Sequence, residues 1–208
     1  MKLLSVLPAV VLFAIAPLEA QTFRWGVHSV AMTYRDQTED READGVGIGG
    51  VVALQVGRFG IEATGWHVNL DPDASDLQSF DLLQGDVRAS FLVASGVALE
   101  VGAGRRDIDP EFATQDVGYG RIGIFSERPL ARIARIRVRG AYLIAPSFNG
   151  GGDANFSIEI GMGVAIGTPN GRFRLRAESE FQRMDREVNN VEVPIQVTLA
   201  KLGVEFGF

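Results

Sequence analysis

The chain has 208 residues, with 20 Lys and Arg against 26 Asp and Glu, a formal net charge of −6, 46% hydrophobic residues, 25 Gly and no Cys. The missing cysteines exclude a disulfide scaffold, a cysteine-based zinc site, a thiol nucleophile and a cysteine-anchored lipid, and the acidic balance argues against a nucleic-acid binder. The hydrophobic share excludes disorder, the length suits one domain, and the basic residues are lopsided, since Lys2 and Lys201 are the only lysines.

Met1 to Ala20 reads as a secretory signal peptide. Lys2 is followed by an apolar run from Leu3 to Ala16, interrupted at Ser5 and Pro8, and then by Pro17-Leu18-Glu19-Ala20. The run falls short of the roughly 20 apolar residues of a membrane-spanning helix, so cleavage after Ala20 is expected. The expected domains are a signal peptide at 1–20 and one β-domain at 21–208. No later stretch is apolar and long enough for a membrane helix.

From Gln21 onward the pattern has period two, the spacing of strands. In chain order, strands are expected near 22–35, 45–57, 60–70, 79–93, 96–106, 115–126, 133–145, 155–167, 171–183 and 191–208. Val46, Ile48, Gly50, Val52, Leu54 and Val56 alternate with Gly47, Gly49, Val51, Ala53 and Gln55. Ile136, Val138 and Gly140 alternate with Arg135, Arg137 and Arg139. Phe156, Ile158, Ile160 and Met162 alternate with Ser157, Glu159 and Gly161. Phe173, Leu175, Ala177 and Ser179 alternate with Arg174, Arg176, Glu178 and Glu180. On a helix these charges would scatter around the circumference; on strands they sort to one face.

Short turns at 57–60, 94–96, 126–132 and 168–171 alternate with longer polar connections at 36–44, 71–78, 107–114, 146–154 and 184–190. That alternation is how antiparallel membrane barrels are built. The aromatics divide accordingly. Trp25, Phe59, Phe91, Phe125, Phe173 and Phe208 sit near the turn ends, whereas Tyr34, Trp66, Phe80, Tyr119, Tyr142, Phe156 and Phe181 sit toward the loop ends. This distribution suggests two interfacial girdles. In the last strand the apolar parity runs Val193, Ile195, Val197, Leu199 and then shifts to Leu202, Val204, Phe206, Phe208. A β-bulge around Ala200-Lys201 is expected to restore one outward face.

The terminal Leu202, Val204, Phe206 and Phe208, together with the leader and the strand pattern, resemble the small outer-membrane β-barrels of Gram-negative bacteria. The resemblance implies an antiparallel up-and-down barrel of about ten strands, with eight as the alternative. It also implies residence in the cell outer membrane, contact with its lipid and lipopolysaccharide, and recognition of the terminal Phe by the barrel-assembly machinery.

In such a barrel Arg135, Arg137, Arg139, Glu159, Arg174, Arg176, Glu178 and Glu180 face the lumen, where opposite charges pair across strands and guanidinium serves better than ammonium. No catalytic, cofactor or metal residue stands out. His28 and Ser29 are neighbours and so point to opposite faces. His67 precedes Asp71 and Asp73 without a clear nucleophile. The run Asp71-Pro72-Asp73-Ala74-Ser75-Asp76 lacks the glycine and late glutamate of a calcium loop, and Gly150-Gly151-Gly152 reads as a loop tip. The acidic stretch from Asp36 to Asp44 is expected to be solvated or bridged by divalent cations to lipopolysaccharide. The expected function is a non-enzymatic outer-membrane protein, structural or binding through its loops, with a charge-filled lumen. The alternatives are a narrow pore favouring anions, a barrel enzyme hydrolysing lipid or peptide, and a soluble periplasmic lipocalin-like binder.

Overall fold

The computed structural model describes residues 21–37, 40–167 and 172–207. The proposed leader and the terminal Phe208 lie outside these residues. The described chain folds into ten antiparallel strands: β1 (Gln21–Asp36), β2 (Arg41–Val56), β3 (Phe59–Pro72), β4 (Phe80–Ala94), β5 (Val97–Asp109), β6 (Val117–Pro129), β7 (Ala134–Phe148), β8 (Asp153–Ile166), β9 (Phe173–Val188) and β10 (Val191–Gly207). Each pairs with its sequence neighbours, and β1 pairs with β10 from Arg24↔Gly207 to Asp36↔Ile195. The sheet is a closed up-and-down barrel of ten strands. Closure leaves no edge unpaired, a necessity for a sheet crossing hydrocarbon.

The outer wall is apolar over its lower part. Val27, Ile48, Val87, Val101, Ile122, Ile160 and Leu202 face outward and are 52–73% exposed. Trp25, Phe59, Phe91 and Phe173 ring the turn end, where Trp25 and Phe173 both pack on Phe206. A band of this size around a barrel suits hydrocarbon, not water. The barrel therefore spans a membrane.

The walls are taller than the band. A sixteen-residue strand such as β1 tilted about 40° climbs about 40 Å, whereas the apolar band of such barrels is about 25 Å high. The surplus lies at the loop end, and there the faces exchange character. Outward positions become polar: Thr33 donates to Asp44 (2.5 Å), His67 and Asn69 meet Asp81 (3.1 and 3.2 Å), and Arg105 pairs with Asp107 (2.7 Å). Inward positions become apolar. Val30, Met32, Trp66, Val68, Leu70, Leu82, Ile195, Val197 and Leu199 belong to one buried cluster inside the barrel.

This exchange corrects several expectations. β10 has no bulge at Ala200-Lys201, because its register against β9 runs unbroken from Val191↔Val188 to Phe206↔Phe173. Its parity shifts because the preferred face changes where the strand leaves the bilayer. Register breaks fall instead in β4, β7 and β8, at Leu92/Ala94, opposite Gly118/Gly120 and at Ala154/Phe156. The strands run further toward the loops than expected, and only 37–40 separate β1 from β2. Polar-out residues there resemble loop sequence. The upper girdle dissolves too: Tyr34, Trp66, Phe80 and Tyr119 point inward and are 1–4% exposed, while Tyr142 and Phe156 remain outside. At the turn end Phe125 also turns inward, under Arg137.

Glycine makes the narrow lumen possible. A side chain on inward-facing Gly47 would overlap the His67 carbonyl oxygen of β3, whereas one on outward Gly50 would find its nearest neighbour, Gly26 O, at 3.4 Å. Gly47→Val is expected to lower stability by about 1–3 kcal/mol through overpacking, read as a shifted urea midpoint in detergent. Gly50→Ala should leave the midpoint unchanged, and equal midpoints for both variants would refute the close approach. With no native cysteine, single-cysteine probes also map the wall. In vesicles, Ile160→Cys should resist a water-soluble maleimide that labels Thr198→Cys, and equal labelling would contradict the change of medium between them.

Candidate functional site

The alternation that turns apolar side chains to lipid turns the intervening residues into the lumen. Three layers fill it. At the loop end, eighteen buried apolar residues form a plug, among the described residues, with Trp66, Phe80, Leu70 and Leu82 between 0% and 2% exposed. The β5–β6 connection tucks Phe112 against Tyr34 and Phe80, with ring centroids at 5.6 and 5.4 Å. Its short 3-10 turn, Ala113–Gln115, delivers Gln115 into the barrel, where the side chain accepts from the Tyr34 hydroxyl and donates to Asp36 (2.7 Å). Gly150 N–H donates to Thr114 O (2.9 Å), tying the β7–β8 connection to this cap.

Beneath the plug lies a buried polar layer. Arg106 donates to Gln84 (2.9 Å) and to Gln182; Gln84 donates to the Tyr119 hydroxyl (2.9 Å), which donates to Asp86 (2.9 Å). Arg121 meets Glu159 at 2.6 Å, and Lys201 meets Glu180 at 3.0 Å while its ammonium lies 4.2 Å from the Trp66 ring centroid. Burial of so many charges is tolerable only because each faces an opposite charge or a hydrogen-bonding neighbour.

The lowest layer surrounds a cavity of about 320 Å³ toward the turn end. Glu62 is its hub, reached by Arg88 (3.1 Å), Arg137 (3.3 Å) and Arg139 (3.2 Å). Arg139 also reaches Glu100 (2.9 Å), Glu127 is shared by Arg135 (3.0 Å) and Arg137 (3.2 Å), and Glu205 is shared by Arg174 and Arg176.

All eight residues expected in the lumen face inward. They do not form one cluster. Arg135, Arg137, Arg139, Arg174, Arg176 and Glu178 border the lower layer, Arg176 pairing with Glu178, whereas Glu159 and Glu180 belong to the layer above. The carboxylates opposite most of the arginines are different ones: Glu62, Glu100, Glu127 and Glu205. Their signal was local. Each of Leu99-Glu100-Val101 and Val204-Glu205-Phe206 sets one acid between two outward apolar residues, so the acid must face the lumen. Of the assembly residues, Leu202, Val204 and Phe206 face outward on β10 beside β1.

The histidines are separated. His28 faces the lumen and its Nε2 is buried without a hydrogen-bond partner, whereas His67 faces outward against Asp81. The Ser79 hydroxyl is committed to Asp71 (2.6 Å). The acidic stretch from Asp36 to Asp44 is mostly strand: Asp36 is buried, Asp40 pairs with Arg35 (2.7 Å), and Glu42 lies 3.8 Å from Arg35. Thr38 and Glu39 lie outside the described residues.

Among solved structures, the outer membrane protease OmpT from Escherichia coli superposes with a TM-score of 0.51 at 11% identity, over 90% of this chain and 96% of that one. The chain has the fold of the Gram-negative outer-membrane β-barrels. Neisserial surface protein A (NspA) matches over 89% of this chain and 97% of its own, with a TM-score of 0.44 and 15% identity. Ail of Yersinia pestis matches over 90% and 98%, with a TM-score of 0.38 and 13% identity. No family model and no curated protein matches the chain.

The hub is the sensitive point of the lumen. Glu62→Ala leaves three guanidinium groups without their shared carboxylate, an uncompensated buried charge expected to cost about 3–5 kcal/mol. Arg105→Ala, in an exposed pair on the outer wall, should not shift the unfolding midpoint. Equal urea midpoints for Glu62→Ala and the parent chain would remove Glu62 from that role.

Proposed function

We propose that this protein is a closed, non-enzymatic barrel of the outer membrane, whose biological contacts are made by the wall and loops that stand outside the bilayer. The short turns and the proposed assembly signal then face the periplasm. The apolar plug carries this reading. A conduit for solutes needs a continuous wet path, and the loop end of this lumen is occupied by mutually packed side chains from Val30 to Leu199. A barrel of this size has little interior beyond its own side chains. The charged layers then serve to hold the walls together.

The enzyme alternative is weakened by geometry. The one His–Asp pair at the loop end, His67 with Asp81, looks away from the lumen, and His28 has no carboxylate partner within ion-pair distance among the described residues. The soluble alternative is weakened by the exposed apolar belt. Proposed partners are outer-membrane lipid, lipopolysaccharide at the polar upper wall, and the barrel-assembly machinery during insertion.

Planar-bilayer recording tests the plug. The parent protein is expected to give no discrete conductance steps, and the triple variant Trp66→Ala, Phe80→Ala, Leu82→Ala is expected to give them. Steps from the parent protein that disappear when it is heat-unfolded would overturn the closed reading.

A further inference from the structure

The lower cavity is charge-unbalanced. Among the described residues seven arginines line it against four glutamates, and Glu178 pairs with Arg176 at its border, which leaves an excess of two positive charges. The layer above, where Asp86, Glu159 and Glu180 face Arg106, Arg121 and Lys201, is balanced and returns none of it. One observation shows a charge left without a partner, and a second shows buried donors left unused. Arg24 lines the cavity and makes no ion pair within 4 Å among the described residues. Arg88 is 2% exposed, yet its Nε and Nη2 have no hydrogen-bond partner; Nη2 lies 3.9 Å from Asp86 and 3.8 Å from Glu159.

The setting strengthens the effect. Walls of protein and hydrocarbon screen charge poorly, so a cleft lined by one sign draws counter-ions into itself. Guanidinium groups present planar pairs of N–H donors that match the oxygens of phosphate and carboxylate. The plug makes the cavity blind, and its outer residues, Arg24, Arg135 and Arg174, lie at the turn end of the barrel. At about 320 Å³ it has room for about ten waters at roughly 30 Å³ each, or for a small anion that keeps some of them.

We propose that the turn-side lumen is a binding site for a small polyvalent oxyanion of the phosphoryl or polycarboxylate class, held by the arginines that the lumen's own carboxylates leave uncompensated. In the orientation proposed above, it fills from the periplasm. Arg24 is free to meet the ligand directly, Arg135 and Arg174 close around it at the mouth, and Arg88 supplies unused donors at the inner end. The proposal does not depend on what the loops bind. Conductance and ligand titration are separate readouts, so either can fail without the other.

The test uses the full barrel refolded in a phospholipid-free maltoside detergent and titrated calorimetrically with pyrophosphate, and in parallel with citrate, at low ionic strength. Saturable one-site binding that weakens with added salt is expected. Arg24→Gln should weaken it about tenfold, the usual cost of losing one charge-assisted contact. Arg24 has no ion pair to lose, and Arg135→Gln leaves Glu127 with Arg137, so the two variants give independent folded tests, checked by the heat-dependent gel shift. Arg105→Gln on the outer wall should bind as the parent does. Binding of both anions supports the full class, and binding of one alone supports and narrows it. Displacement by a soluble short-chain phosphatidylglycerol would support the site and assign the oxyanion to a lipid headgroup. Absence of saturable binding to either anion, or binding unchanged in both Arg24→Gln and Arg135→Gln, would overturn the proposal.

Discussion

Leu199 points into the barrel beneath its cap, Lys201 points into the charged lumen, and Leu202 points out at lipid. Within four residues the strand has passed from one solvent regime to another, and much of the architecture follows from that passage. Where hydrocarbon lies outside, the outward face must be apolar, and the inward face takes whatever polar groups can satisfy one another. Where water lies outside, the outward face can be polar and the inward face can pack as an ordinary hydrophobic core. One barrel wall therefore encloses two kinds of interior, stacked end to end.

The polar interior holds because its charges are shared rather than paired one to one. Glu62 serves three arginines and lies 4.0 Å from a fourth, while Glu127 and Glu205 each serve two. A planar fork with five donors can divide itself among neighbours in a way an ammonium cannot. That accounts for the preference for arginine in the lower lumen. The single lysine among the described residues sits higher in the lumen, where an aromatic face and one carboxylate suffice for a compact cation. Sharing also means that acids are outnumbered, which makes the lower lumen a place for an external anion. The apolar interior plays the opposite part, with no charge to offer and a filled cross-section.

Much of the barrel was legible because lipid imposes a strict period of two. About ten strands, the alternation of turns and loops, and the inward face of Arg135, Arg137, Arg139, Glu159, Arg174, Arg176, Glu178 and Glu180 all follow from it. The loop end is where the sequence pattern and the structure part. Tyr34, Trp66, Phe80 and Tyr119 look like a girdle in the sequence because parity says which residues share a face, but not which medium that face meets. The parity shift in β10 looks like a bulge because a change of medium and an inserted residue leave the same mark on a sequence. The bulge in β7, at Ala145 with φ 47°, left no comparable mark among Ile144, Ala145 and Pro146.

What the sequence determined by itself was local and periodic: extended strands and their order, where the chain turns back, and which side chains share a face. Backbone geometry gives those consequences without knowledge of distant residues. Only the tertiary structure decided which acid meets which arginine, that the inward aromatics close one end, and that the lumen retains an excess of positive charge. Glu62 and Arg139 are 77 residues apart in the chain, and their meeting depends on closure of the barrel and on the stagger of its strands. Those are properties of the whole sheet, and no single strand carries them.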